Sequence, residues 1–191
     1  MSPYIIAFGD SLTEGYGLPR HQSFASQLEA LLRCDHPRPR VDNEGASGDT
    51  TQSALARLPR ILSRLDNRPD LVIVELGAND LLRGIPLATT RRNLDAILME
   101  LGRCQLPVLL ARMDAPAWLG GLGRDCTALY DTLGQAHGVP VAPFLPPGVL
   151  GHPRLTLPDR VHPNAEGYAR IARAFLPAVQ DALRAGRTRA A

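Results

Sequence analysis

No stretch of this 191-residue chain reaches the roughly 18 consecutive apolar positions that a membrane-spanning helix requires. Cysteine is scarce: Cys34, Cys104 and Cys126 are an odd number without Cys-x-x-Cys spacing, which argues against a disulfide framework or a thiolate metal site and leaves packed thiols. Net charge is also low, at +2, and no basic block interleaved with aromatics runs through the body, so nucleic acid is not an expected partner. Internal repeats and domain linkers are missing, and the proline-rich stretches 35–39 and 143–158 read as loops. Three glycine motifs are absent as well. Without Gly-x-Ser-x-Gly there is no nucleophile elbow, and without Gly-x-x-x-x-Gly-Lys-Ser/Thr or Gly-x-Gly-x-x-Gly there is no standard phosphate cradle. No metal or cofactor is called for.

What remains suffices for one compact domain, since a chain of this length with 45% hydrophobic residues buries most of the surface its unfolded form exposes. Residues 1–185 are expected to form that domain and 186–191 a basic C-terminal tail, part of a frayed basic end over 184–189. The first apolar run begins almost at Met1, leaving no room for a signal peptide. The expectation is a cytoplasmic protein, or a periplasmic or secreted one if a leader has been removed.

Nearly continuous apolar runs at 4–8, 71–76 and 108–113 have the pattern of central parallel strands covered on both faces. Weaker segments around Val41 and at Val139-Pro140-Val141 suit sheet edges, because a central strand rejects proline. Helical periods lie between them: Phe24, Leu28, Leu31 and Leu32; Ala54, Leu55, Leu58 and Ile61; Leu94, Ile97, Leu98 and Leu101; Leu129, Tyr130 and Leu133; Tyr168, Ile171, Phe175 and Val179. Pro59 and Pro177 are expected to kink or restart their helices. The alternation predicts an α/β protein, a three-layer, flavodoxin-like, doubly wound parallel sheet of about five strands in the order 2-1-3-4-5. Ligands then bind beyond the carboxyl ends of strands 1 and 3.

The loops at that edge carry chemistry. Gly9-Asp10-Ser11-Leu12 follows the first strand, and Asp159 stands three residues before His162 near the far end. A serine hydroxyl attacks only when an imidazole takes its proton, and a carboxylate fixes that imidazole's tautomer. A plainer reading has Ser11 capping a helix, because Ser11-Leu12-Thr13-Glu14 fits a capping box. Of the five histidines, His36 and His137 fall in helix-to-strand loops at the opposite edge, and neither His21 nor His152 has a carboxylate three residues before it. His162 does, though it also precedes Pro163 and a candidate helix cap, Asn164. Gly48 in Ser47-Gly48-Asp49 could present a backbone N–H, and Asn79 in Gly77-Ala78-Asn79-Asp80 a side-chain amide, to an oxyanion. Alternatively, Gly48 only turns the chain and Asn79 caps a loop.

These four ordered blocks resemble the SGNH (GDSL-type) serine hydrolases across nearly the whole chain. The resemblance implies Ser11 as nucleophile, His162 as base, Asp159 as its partner, and an oxyanion hole from the Ser11 and Gly48 backbone amides with the Asn79 side chain. Ser47-Gly48-Asp49-Thr50, Ala56-Arg57-Leu58-Pro59 and the block from Val74 through Gly84 are similar to the bacterial acyl-CoA thioesterase, lysophospholipase and arylesterase branch. The glycine-rich stretch 113–125 departs from its thioesterase members.

The expected activity is therefore hydrolysis of small-molecule carboxylic esters or thioesters through an acyl-serine, by a monomer-sized enzyme without a membrane span. Trp118, Phe144 and Leu157 are the expected substrate contacts, from apolar loops after strands 4 and 5, with packing onto the sheet an equally simple alternative. Two rivals remain: a carbohydrate O-acetyl esterase using the same residues, and a non-catalytic flavodoxin-like binding module.

Overall fold

The computed structural model describes residues 2–114 and 120–190, with side chains through residue 186. Five strands, β1 (Tyr4–Gly9), β2 (Arg40–Gly45), β3 (Leu71–Glu75), β4 (Val108–Arg112) and β5 (Val141–Pro143), form one parallel sheet in the order β2-β1-β3-β4-β5. Along β1, alternate side chains serve opposite faces, as the strand period of two requires. Ile5 and Ala7 join one apolar cluster with Phe24, Leu28 and Phe175, while Ile6 and Phe8 join another with Leu58, Leu98 and Leu133. Helices α2 (Phe24–Leu32) and α7 (Ala165–Ala190) thus cover one face, and α3 (Thr51–Leu62), α5 (Leu87–Arg103) and α6 (Gly120–His137) the other. Two short helices, α1 (Ser11–Glu14) and α4 (Ala78–Leu82), follow β1 and β3 directly.

Register fixes the site. β1 pairs with β2 through Gly9↔Gly45 and with β3 through Gly9↔Glu75, so all three strands end at one level. The loops that follow them emerge side by side at the switch point.

Three local expectations are revised. The last strand begins at Val141 and Pro140 lies before it, where its carbonyl accepts from the Leu110 N–H at 2.9 Å without needing an N–H of its own. Neither Pro59 nor Pro177 restarts its helix, since α3 and α7 each run on through the proline. Buried neighbours, Leu58 and Ile61 in one case and Phe175 and Val179 in the other, hold those turns to the sheet. Finally, α7 continues to Ala190, over the stretch read as a basic tail; alanine and arginine are strong helix formers, so a composition that resembles a tail also extends a helix.

Candidate active site

The turn that carries Ser11 is built by close packing. A Cβ on Gly9 would fall 2.1 Å from Thr13 Oγ1 and 2.5 Å from the Glu75 carbonyl oxygen, so no larger residue fits where β1 turns into α1. Asp10, not Ser11, caps α1: its Oδ1 accepts from the Leu12 N–H at 2.9 Å. The capping box that is the alternative reading of Ser11 does not form, and the serine hydroxyl stays available. Tyr168 of α7 steadies the turn by donating to the Ser11 carbonyl at 3.3 Å.

The histidine arrives on a loop closed by the bridge Thr156↔Pro163 and by the Leu157 N–H, which donates to the His162 carbonyl at 2.7 Å. Asp159 Oδ1 accepts from the N–H groups of Val161 and His162 at 2.9 and 3.0 Å. Its Oδ2 lies 2.7 Å from His162 Nδ1, and His162 Nε2 lies 3.0 Å from Ser11 Oγ. With Nδ1–H donating to the carboxylate, Nε2 presents its lone pair to the serine proton. Desolvation raises the Asp159 pKa, but the hydrogen bonds from the His162 ring and the two amides outweigh it and hold the group down at about 2. Asp159 is thus ionised at neutral pH. Tyr16 lies on the imidazole, ring centroids 4.4 Å apart and tilted by 38°. Asn164 does cap α7, its Oδ1 accepting from the Gly167 N–H at 3.0 Å.

None of the other four histidines takes this place. His36 precedes β2 at the opposite edge, and His137 ends α6 there, 2.7 Å from Asp95. His21 sits in the 3₁₀ turn Arg20–Gln22 beside Gln22, and His152 Nδ1 accepts from the Arg154 N–H.

Gly48 adopts φ 81°, a conformation glycine favours, and its carbonyl accepts from Arg83 Nη2 at 2.8 Å. Among the described residues, neither the Ser11 nor the Gly48 backbone N–H has a partner. Asn79 Nδ2 donates to Asp10 Oδ2 and to the Asp49 carbonyl, both at 3.0 Å, so it ties the three loops together and must share a hydrogen to serve an oxyanion. Arg57 of α3 clamps the same loops from below. Its guanidinium reaches Asp49 Oδ2 and donates to the carbonyls of Gly9 at 2.8 Å and Glu44 at 2.9 Å. Asp10, Tyr16 and Arg57 had no assigned role in the sequence reading.

Asp80 is a further member of the loop framework. Buried, it accepts from the Thr51 N–H at 2.8 Å, Thr51 Oγ1 at 2.5 Å and Thr90 Oγ1 at 3.2 Å, joining the third loop to the start of α3. Asp80→Ala strands these donors, so a loss of roughly 3 kcal/mol is expected. Differential scanning calorimetry should register it as a fall in Tm of about 10 °C, in proportion to a domain of this size.

A groove of about 730 Å³ opens beside the triad. Leu12 and Val161, the neighbours of Ser11 and His162, line it together with Leu82, Leu122 and Leu150. Among the described residues, six large apolar side chains are exposed, and all but Met99 belong to this groove or, as Tyr16, to the imidazole. Two expected contacts lie elsewhere. Phe144 is fully buried, edge-on to Phe24 at 4.9 Å and Phe175 at 5.7 Å, because aromatic packing between α2 and α7 claims it. Leu157 packs over Gly17, outside the groove lining. Trp118 lies outside the described residues.

Residues 7–170 match the model of the GDSL-like Lipase/Acylhydrolase family. The chain is 34% identical to the arylesterase of Vibrio mimicus over 172 residues, covering 90% of this chain and 85% of that one. It is 32% identical to thioesterase 1/protease 1/lysophospholipase L1 of Escherichia coli K12 over 169 residues, covering 88% and 79%. The crystal structure of AlinE4, a SGNH-hydrolase family esterase, superposes with a TM-score of 0.77 at 41% identity, covering 96% of this chain and 97% of that one. By match and by fold, the chain belongs to the GDSL-type, SGNH family of lipases and acylhydrolases.

Proposed function

We propose that this ester hydrolase cleaves short-to-medium acyl or aryl esters through an acyl-Ser11 intermediate. His162, oriented by ionised Asp159, takes the Ser11 proton as Oγ attacks the carbonyl carbon. The oxyanion is received by the Ser11 and Gly48 backbone N–H groups and by Asn79. His162 returns the proton to the leaving alcohol or thiol, and water then repeats the sequence on the acyl group.

The observation that carries this reading is the groove's position. Its walls include Leu12 and Val161, each adjacent in sequence to a reacting side chain, so an acyl or aryl group lying there brings its carbonyl to Ser11. A sugar would find few hydroxyl partners along leucine and valine, which favours an apolar ester over the carbohydrate O-acetyl alternative. The binding-module alternative leaves an ordered serine–imidazole–carboxylate chain without a purpose.

Each buried methylene contributes roughly 0.8 kcal/mol, about fourfold in kcat/KM, until the groove is filled. A panel of p-nitrophenyl esters from acetyl to palmitoyl, run beside acyl-CoA substrates, should show an optimum at short-to-medium length. Leu82 and Leu150, 70% and 41% exposed at the rim, supply a variant test. Leu82→Asp with Leu150→Asp is expected to lower hexanoyl hydrolysis about tenfold more than acetyl hydrolysis, as a charge opposes burial of the longer chain. Rates that climb steadily to palmitoyl would instead identify a long-chain thioesterase, and activity confined to acetylated sugars would restore the carbohydrate reading.

A further inference from the structure

β3 is apolar from Leu71 to Val74 and then ends on a carboxyl group, Glu75, with no exposed surface. Its Oε2 accepts from Thr13 Oγ1 at 2.8 Å, while Oε1, equally buried, has no partner among the described residues. A second fully buried carboxyl, that of Asp10, is close enough to interact with it. Glu75 stands opposite Gly9 in the sheet, the residue before Asp10, and the Cβ that Gly9 lacks would fall 2.8 Å from Glu75 Oε2. The mechanism proposed above uses neither acid.

Two adjacent carboxylates in a dry site cannot both carry charge without a cation between them. The guanidinium of Arg57 is committed to Asp49 and to the carbonyls of Gly9 and Glu44. Tyr130 from α6 and Tyr168 from α7 face the pair, Thr13 touches it from α1, and Asp49 and His162 face Asp10. None is a permanent cation. The two acids differ in their donors: Asp10 receives the Leu12 N–H and the Asn79 amide, whereas Glu75 receives a side-chain hydrogen bond only from the Thr13 hydroxyl. Asp10 is therefore the better anion. Burial, then the charge of Asp10, pushes the Glu75 carboxyl well above the usual range, against the hydrogen bond from Thr13.

We infer that Glu75 is a carboxylic acid at neutral pH whose Oε1–H donates to the Asp10 carboxylate, making it a positioning residue for the oxyanion hole. The relay runs from the core outward: Glu75 sets Asp10, Asp10 Oδ2 holds the Asn79 amide, and Asn79 faces the reacting carbonyl. This rests on the reading of Asn79 as an oxyanion donor. It also gives the unpartnered Oε1 a hydrogen to donate and a buried acceptor to receive it.

The test is infrared spectroscopy of wild type and Glu75→Gln at pH 7. The difference spectrum should contain the carbonyl stretch of a protonated carboxylic acid, lost in the variant. Glu75→Gln, which can still donate to Asp10 and accept from Thr13, should retain kcat within about threefold. Glu75→Leu, which can do neither, should lose kcat by 10- to 100-fold with KM little changed, the pattern of a donor displaced in the transition state. Unfolding free energies supply a readout independent of catalysis. An unfolded glutamate ionises above pH ~4.3. A folded glutamate that keeps its proton gives the unfolded state fewer bound protons, so wild type should lose stability relative to Glu75→Gln as pH rises from 4 to 8. No protonated-acid band, wild-type kcat in a folded Glu75→Leu, or the opposite stability trend would overturn the inference. If Ser11→Ala kept full activity while the band persisted, the catalytic reading would fail and the shared proton would stand.

Discussion

Ser11→Ala is expected to fold normally and to lose ester turnover by on the order of a millionfold, the scale seen when a triad loses its nucleophile. Among the described residues, the serine side chain makes one hydrogen bond, to His162 Nε2, and supports no other element. Asp10 does the capping, so α1 keeps its start when the hydroxyl goes. Substrate still enters the groove and meets the backbone amides, yet no acyl-enzyme forms. The measurement is paired: p-nitrophenyl ester hydrolysis, and mass spectrometry after incubation with a fluorophosphonate. Wild type should gain one adduct on Ser11 and the variant none. Hydrolysis near the wild-type rate in Ser11→Ala would remove the serine from the mechanism.

His162→Ala should be nearly as damaging, because Ser11 then has no acceptor for its proton. Asp159→Asn should cost less than His162→Ala by at least tenfold. The Asp159 side chain is 38% exposed, so water can partly replace what the carboxylate supplies, and Tyr16 still covers the ring. The ordering also separates two roles. A base is indispensable, whereas an orienting group near solvent is only partly so. Steady-state kcat for the two variants decides it, and an Asp159→Asn protein as inactive as His162→Ala would mean that the charge itself, not the orientation, is what His162 needs.

The sheet order and the juxtaposition of Ser11, His162 and Asp159 were legible in the sequence because both leave local marks. Apolar runs of strand length report burial on two faces, and an Asp three residues before a His reports a turn that brings them together. The groove was not legible. Phe144 follows an edge strand and suits a pocket wall or a core equally well; Phe24 and Phe175, from helices distant in sequence, decide for the core. Ser11 and Asp10 are both good helix caps one position apart, and periodicity cannot choose between them. Arg57 escaped notice for a different reason. Two of its partners are the carbonyls of Gly9 and Glu44, which carry no residue signature at all.

The triad joins residues 151 positions apart, with Ser11 just after the first strand and His162 just before the last helix. Helix α7 also packs against α2 across the same face of the sheet. On the proposed mechanism, folding must therefore bring the segments after the first strand and before the last helix together before a single ester can be cleaved, and contacts between distant segments form slowly because loop closure precedes their reward. Catalysis here is a clock for the last stage of assembly: in a refolding experiment, ester hydrolysis should recover with the slowest phase, after helical circular dichroism has largely returned.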